Sequence, residues 1–162
     1  MKMSLAKIEH LKSYTSFLSA CYQSGLSKYE AAIKEPKQFL ESIISSAAET
    51  STYFCVVNEE IIGAIRFRHN TNEYIVSVIG HVGYETKPTA RGKGVARFML
   101  SWLQEHIMES VAIITCEADN MASEKVIKHC GGVYLNQIYS TEKQNDVKRY
   151  ELPSKNVRSC LA

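Results

Sequence analysis

The 162-residue sequence lacks four things: a long apolar run, cysteines at metal-ligand spacing, internal repeats, and an excess of one charge. Each absence removes a class of protein. No stretch approaches the roughly 20 apolar residues needed to cross a bilayer, and the lysine-bearing first residues show no continuous apolar segment of a secretory signal. The sequence therefore predicts a soluble, cytoplasmic protein without a membrane partner. Lysine and arginine number 19 against 17 aspartate and glutamate, so the surface is not generally cationic and a wrapped nucleic-acid partner is not expected. Cys21, Cys55, Cys116, Cys130 and Cys160 are scattered, odd in number and free of CxxC or Cys/His spacing. That pattern predicts buried thiols in a reducing compartment, with no disulfide and no metal site.

What is present is enough apolar material, 45% of residues, for one well-buried core, and the length suits a single domain over 1–162. Ile8, Leu11, Thr15, Leu18 and Tyr22 share one helical face that Gly25 ends. A second helix is predicted from Pro36, burying Phe39, Leu40, Ile43, Ile44 and Ala47. Thr52 to Val57 and Ile61 to Phe67 read as a hairpin about Asn58-Glu59-Glu60, and Tyr74 to Thr86 continues the strand character. Then come a helix over 92–106, a strand over 111–116, a helix over 121–130 and strands over 133–139 and 147–152. The last ten residues read as a frayed tail. Helices first, then a meander, then alternating elements predict an α+β domain around one mixed sheet.

The stretch 83–104, GYETKPTARGKGVARFMLSWLQ, sets a basic, glycine-bearing turn directly before an amphipathic helix. The first N–H groups of a helix have no partner within it, and the dipole adds roughly half a positive charge there. Gly92 and Gly94 would let an anion approach the backbone, while Arg91 and Lys93 add formal charge, so a diphosphate fits such a cradle. A solvated basic turn that caps a surface helix is the plainer reading. A Walker A loop needs glycine where this chain has Lys87, and the dinucleotide fingerprint needs glycine where it has Arg97. The stripe Val95, Phe98, Met99, Trp102, Leu103 and Ile107 reads as core packing.

Arg91-Gly92-Lys93-Gly94-Val95-Ala96 resembles the Arg-x-x-Gly-x-Gly/Ala signature of the GNAT superfamily of N-acetyltransferases. Tyr84-Glu85-Thr86-Lys87-Pro88 is similar to the strand that precedes that loop in the superfamily, with Thr86 in place of the usual valine. Asn120-Met121-Ala122-Ser123 and Cys130-Gly131-Gly132 match its next helix and the turn after it. The segment 54–152 also resembles a bacterial branch of predicted acetyltransferases through Arg68-His69-Asn70, Gly80-His81-Val82-Gly83-Tyr84 and Lys148-Arg149-Tyr150. The resemblance implies a mostly antiparallel, twisted mixed sheet of about six to seven strands flanked by about four helices. It also implies a core over about 52–152, with 1–50 contributing to the acceptor site. The implied activity is transfer of an acetyl group from acetyl-CoA to a primary amine of a small molecule or protein, by direct attack in a ternary complex and without metal. A homodimer is implied as well, because the last strands often make dimer contacts in relatives. The rival reading is a non-catalytic acyl-CoA-binding sensor or regulatory module of the same fold.

The resemblance further implies that Tyr84, Thr86, Arg91, Gly92, Lys93, Gly94, Val95, Ala96, Asn120 and Ser123 hold the cofactor. Its pantetheine arm would run along the strand ending near Thr86. An attacking amine must lose a proton and the departing thiolate must gain one. Many relatives carry the acid as a tyrosine seven positions after the landmark asparagine, where this chain has Ile127. His81, Tyr84 and Glu117 are the candidates for proton transfer, with Glu85, His129, Cys130 and Tyr139 behind them. Each has a plain alternative: His81 as a partly buried, backbone-bonded histidine, Glu85 as a solvated strand charge, Glu117 and Asp119 as acids at a helix N-terminus. Asn120 is in addition an N-cap on chemistry alone, and Arg68 and His69 either line an acceptor pocket or end a strand.

Overall fold

The computed structural model describes residues 1–156. Its strands are β1 (Lys2–Leu5), β2 (Thr50–Val57), β3 (Glu60–Arg68), β4 (Val82–Thr86), β5 (Ala112–Glu117), β6 (Val133–Ser140) and β7 (Asn145–Leu152). Its α-helices are α1 (Leu11–Gln23), α2 (Glu30–Lys34), α3 (Pro36–Ser45), α4 (Val95–His106) and α5 (Met121–His129). The strands form one seven-stranded sheet in the order β1-β2-β3-β4-β5-β7-β6. Pairing is mostly antiparallel, with β4 and β5 parallel through Val82 and Ile114. This is the expected α+β architecture, with one α-helix more than expected. The chain divides into two compact units, 1–69 with 84–99, and 70–83 with the residues from 100 onward.

In the first unit, Tyr14, Phe17, Leu18 and Cys21 form the buried face of α1 at helical spacing. They pack with Leu40 of α3 and with Phe54 and Ile61 of the β2–β3 hairpin. Gly25, at φ +98°, ends the first helical segment as expected, its N–H donating to the Tyr22 carbonyl at 2.9 Å. The hairpin turn is Asn58-Glu59, both residues in the left-handed region at φ +48° and +66°, one residue tighter than expected. On β3, Gly63 lies beneath α4: a Cβ there would sit 2.7 Å from Met99 Sδ and 3.1 Å from Val95 Cγ1. Only glycine admits so close an approach of helix to strand.

In the second unit, Ala112, Ile114 and Cys116 of β5, Ile127 of α5 and Val147, Tyr150 and Leu152 of β7 are buried. The expected continuous strand over 74–86 is corrected here. Residues Ile75–Ile79 form a π-helical turn, Gly80 breaks it at φ +74°, and the strand begins only at Val82. Asn72 caps that turn, its Oδ1 accepting the Ile75 N–H at 2.9 Å. A local cap and a tertiary contact, the Arg149 guanidinium donating to the Val76 carbonyl at 2.6 Å, override the strand preference of four β-branched residues. Of the expected tail 153–162, residues 153–156 are held down. Gln104 Nε2 donates to the Pro153 carbonyl at 2.8 Å, and Ser154 Oγ donates to the Met108 carbonyl at 2.6 Å. Residues 157–162, with Cys160, lie outside the described residues. The other four cysteines are buried and free.

Candidate cofactor site

Strand β4 ends at Thr86, a short 3-10 turn over Pro88–Ala90 follows, and four exposed residues, Arg91 to Gly94, lead into α4. Gly92 and Gly94 stand at φ +72° and +79°, and a Cβ built on either meets nothing within 4 Å. The glycines are thus required by backbone conformation, and open space lies in front of them. The expected helix over 92–106 starts at Val95. Gly94, immediately before it, has no side chain with which to cap the first turn.

The side chains around this turn are ordered by the strand behind it. The Arg91 guanidinium lies 3.4 Å from the Thr86 carbonyl through Nε and 3.4 Å from Glu85 Oε1 through Nη2. Glu85 also pairs with Lys28 at 3.1 Å, so it is neither the solvated charge nor the unpartnered base considered above. Lys93 Nζ donates to the Thr89 carbonyl at 2.9 Å, and Lys87 pairs with Glu60 at 3.5 Å. Behind Glu85, burial pushes the Cys21 thiol up to about 11 and raises the Tyr29 phenol, and the Glu85 charge adds to both shifts. Tyr84 is half-buried and Thr86 buried on the same strand. The first unit therefore gathers Tyr84, Glu85, Thr86 and the turn 91–96 around one helix N-terminus. Its N-terminal helical part also carries an open groove of about 580 Å³ bounded by Lys28, Glu30, Glu35 and Phe39.

The remaining expected site residues belong to the second unit. His81 precedes β4 and is buried; its Nδ1 accepts the Ile113 N–H at 2.9 Å, while the His81 backbone N–H donates to the Ile113 carbonyl at 2.6 Å. That geometry puts the neutral ring's proton on Nε2, which lies 3.5 Å from Thr71 Oγ1. Asn120 caps α5, its Oδ1 accepting the Ser123 N–H at 3.0 Å. Glu117 ends β5 and Asp119 is exposed before the cap. Ile127 is fully buried, packed so tightly that a Cβ on Gly132 would fall 2.4 Å from its Cγ2. His129 and Tyr139 are exposed and Cys130 is buried.

Glu124 carries no signal in the sequence pattern. Its carboxylate accepts from Lys128 at 2.6 Å, Lys148 at 2.8 Å and Tyr150 Oη at 2.9 Å. Hydrogen bonds from Lys128, then Lys148 and Tyr150, lower its pKa to about 2. This network fastens α5 to β7. Among the described residues no group of three His, Cys, Asp or Glu side chains could hold a metal ion, and no helix is long and apolar enough to cross a membrane.

A family model for the acetyltransferase (GNAT) domain matches residues 6–133. The chain belongs to the GNAT acetyltransferases. As a member it is an acetyl-CoA-dependent N-acetyltransferase. Solved GNAT structures share the fold at low identity. One is RimL, a ribosomal L7/L12 alpha-N-protein acetyltransferase in complex with coenzyme A, at 15% identity and TM-score 0.73, covering 94% of each chain. A ribosomal-protein-S5-alanine acetyltransferase from Vibrio fischeri gives 16% and 0.72, covering 94% of this chain and 92% of that one. MccE, the microcin C7 self-immunity acetyltransferase in complex with acetyl-CoA and AMP, gives 15% and 0.75 over the same shares. No curated protein sequence matches the chain.

Proposed function

We propose that this GNAT chain moves the acetyl group of acetyl-CoA to a primary amine of a small molecule or a protein, by direct attack in a ternary complex. The observation that carries this reading is the exposed turn at Gly92 and Gly94, with its two left-handed residues, facing open space at the head of α4. Its backbone N–H groups over 92–96 would take the diphosphate, with Arg91 and Lys93 adding charge. Tyr84 and Thr86 on the adjoining strand would accompany the pantetheine arm. In the reaction the amine nitrogen forms a bond to the thioester carbon, the carbonyl becomes an oxyanion, and the C–S bond then breaks. The nitrogen's extra proton leaves to a base, and the thiolate takes up a proton or hydrogen bond.

The proton carriers follow from what each side chain has left to give. The Nδ1 lone pair of His81 is already occupied by the Ile113 N–H, so His81 serves as base only by giving up that bond. Glu117 carries no such commitment as base, and the Tyr84 hydroxyl is the proposed acid. Asn120 and Ser123 are the second unit's proposed contacts to the cofactor. For the acceptor, the N-terminal helical part is the proposed contributor, with its groove between Glu30, Glu35 and Phe39. Named relatives include enzymes for ribosomal-protein termini, which supports adding peptides with free α-amino groups to the acceptor panel.

One feature favours the sensor reading: Ile127 is buried and apolar where many relatives hold the acid. A single assay separates the two, the release of free CoA thiol from acetyl-CoA against small amines, amino-acid derivatives and peptides. Amine-dependent release is expected. Cofactor binding without any such release would establish the sensor.

We also propose a homodimer through β6. This eight-residue strand ends the sheet and contains no charged residue, and Tyr134, Leu135 and Tyr139 on it are exposed. Run antiparallel to a second copy about the Asn136–Gln137 step, it sets Tyr134 against Tyr139 and Leu135 against Ile138, pairs that favour a sheet edge. Light scattering is expected to give a dimer that Tyr139→Lys converts to a monomer. A wild-type monomer at high concentration would rule it out.

A further inference from the structure

We infer that Glu85 is a positioning residue for the cofactor turn, one that holds the Arg91 guanidinium in place before acetyl-CoA arrives. This rests on the reading of residues 91–96 as the diphosphate site. The Glu85 side chain is only 15% exposed and divides its two oxygens between Lys28 at 3.1 Å and Arg91 at 3.4 Å. Arg91 is gripped a second time by the Thr86 carbonyl through Nε. A guanidinium held at two points by one strand end is restricted in rotamer, although its side chain remains 46% exposed.

Three features make this an arrangement for binding an anion rather than a surface ion pair. The mostly buried Glu85 carboxylate is paired on both oxygens, and both partners are cations. Lys28 comes from the N-terminal helical part and Arg91 from the turn, so the trio stays net positive. Neighbouring Cys21 and Tyr29 are ordinarily neutral near pH 7, burial pushes both further from ionising, and they do not compete for the cations. Finally, an arginine free in water loses much rotamer freedom when it grips a phosphate, and an arginine already restrained loses less. Glu85 moves that loss from cofactor binding to folding.

The opposite physical possibility is that the carboxylate competes with phosphate for Arg91, and the two differ in sign. Acetyl-CoA affinity by calorimetry, KM and kcat, and melting temperature would be compared for wild type, Glu85→Gln, Glu85→Asp, Arg91→Ala, Gly94→Glu and the double variant Glu85→Gln with Arg91→Ala. Positioning predicts that Glu85→Gln raises Kd and KM for acetyl-CoA by about 3- to 10-fold, with kcat within about twofold. Glu85→Asp keeps the charge but loses the reach, and is expected to behave the same way. Arg91→Ala is expected to weaken binding less in the Glu85→Gln background than in wild type. Unchanged or tighter binding in a folded Glu85→Gln or Glu85→Asp protein overturns the positioning role. If Arg91→Ala weakens binding and the Glu85 variants do not, only that role fails. If neither Arg91→Ala nor Gly94→Glu affects binding, the diphosphate reading itself fails with it.

Discussion

The N-termini of α4 and α5 solve the same problem in opposite ways. Helix α5 is closed from within: Asn120 Oδ1 takes the Ser123 N–H, and Asp119 and Glu124 add negative charge near the helix start. Helix α4 follows a glycine that has nothing to cap with, and the charged side chains before it, Arg91 and Lys93, are of the same sign as the dipole end. Placing cations there is unfavourable for an isolated helix. One helix end is capped by its own side chain, whereas the other is flanked by cations and has no capping side chain, an arrangement suited to a negative ligand.

The contrast can be broken most directly at Gly94. Gly94→Glu puts a side chain and a negative charge into the open space and forces a non-glycine residue to positive φ. Acetyl-CoA affinity is expected to fall by more than about 100-fold in calorimetry, with the far-ultraviolet dichroism spectrum retained. Next in size is Arg91→Ala, expected to weaken cofactor binding about tenfold, with a smaller dependence of affinity on ionic strength than wild type. At the closed end, Asn120→Ala is expected to lower unfolding free energy by ~1 kcal/mol, and Asn120→Asp to restore it, in chemical denaturation.

The smallest effect is set by pH. The carboxyl of Glu124 has its pKa lowered from 4.5 to about 2. A carboxyl depressed in the folded state stabilises it fully above its unfolded pKa, and that contribution is lost as pH falls from 4.5 towards 2. Wild type is therefore expected to exceed Glu124→Gln in melting temperature at pH 7, with the gap closing below pH 4.5. A gap that persisted at low pH would mean that packing rather than charge fastens α5.

The features legible in the sequence were those whose cause is local. The Asn120 cap acts within a few positions and is present as read, and of the α4 stripe Val95, Met99 and Leu103 are buried while Phe98, Trp102 and Ile107 are half-buried. Residues Ile75–Ile79 were misread as strand because β-branched side chains carry the local signal, whereas a capping Asn72 and a distant Arg149 decide the outcome. Strand β1 is four residues long, too short for alternation to register. Glu85 looked like a solvated charge because Lys28, its partner, is 57 residues away. The three donors to Glu124 include two on strand β7, invisible to any helical pattern.

Gly63 bears on cofactor affinity without lying in the turn. It is the hollow in β3 that seats Val95, the residue at which α4 begins, and Met99 one turn on. A methyl group added there, as in Gly63→Ala, must displace the thioether or lift the opening turn of the helix, and the amides of the proposed diphosphate site would rise with it. Changes on the far side of a strand can thus retune grip on the acetyl donor, which gives selection a lever that leaves every ligand-contacting residue untouched.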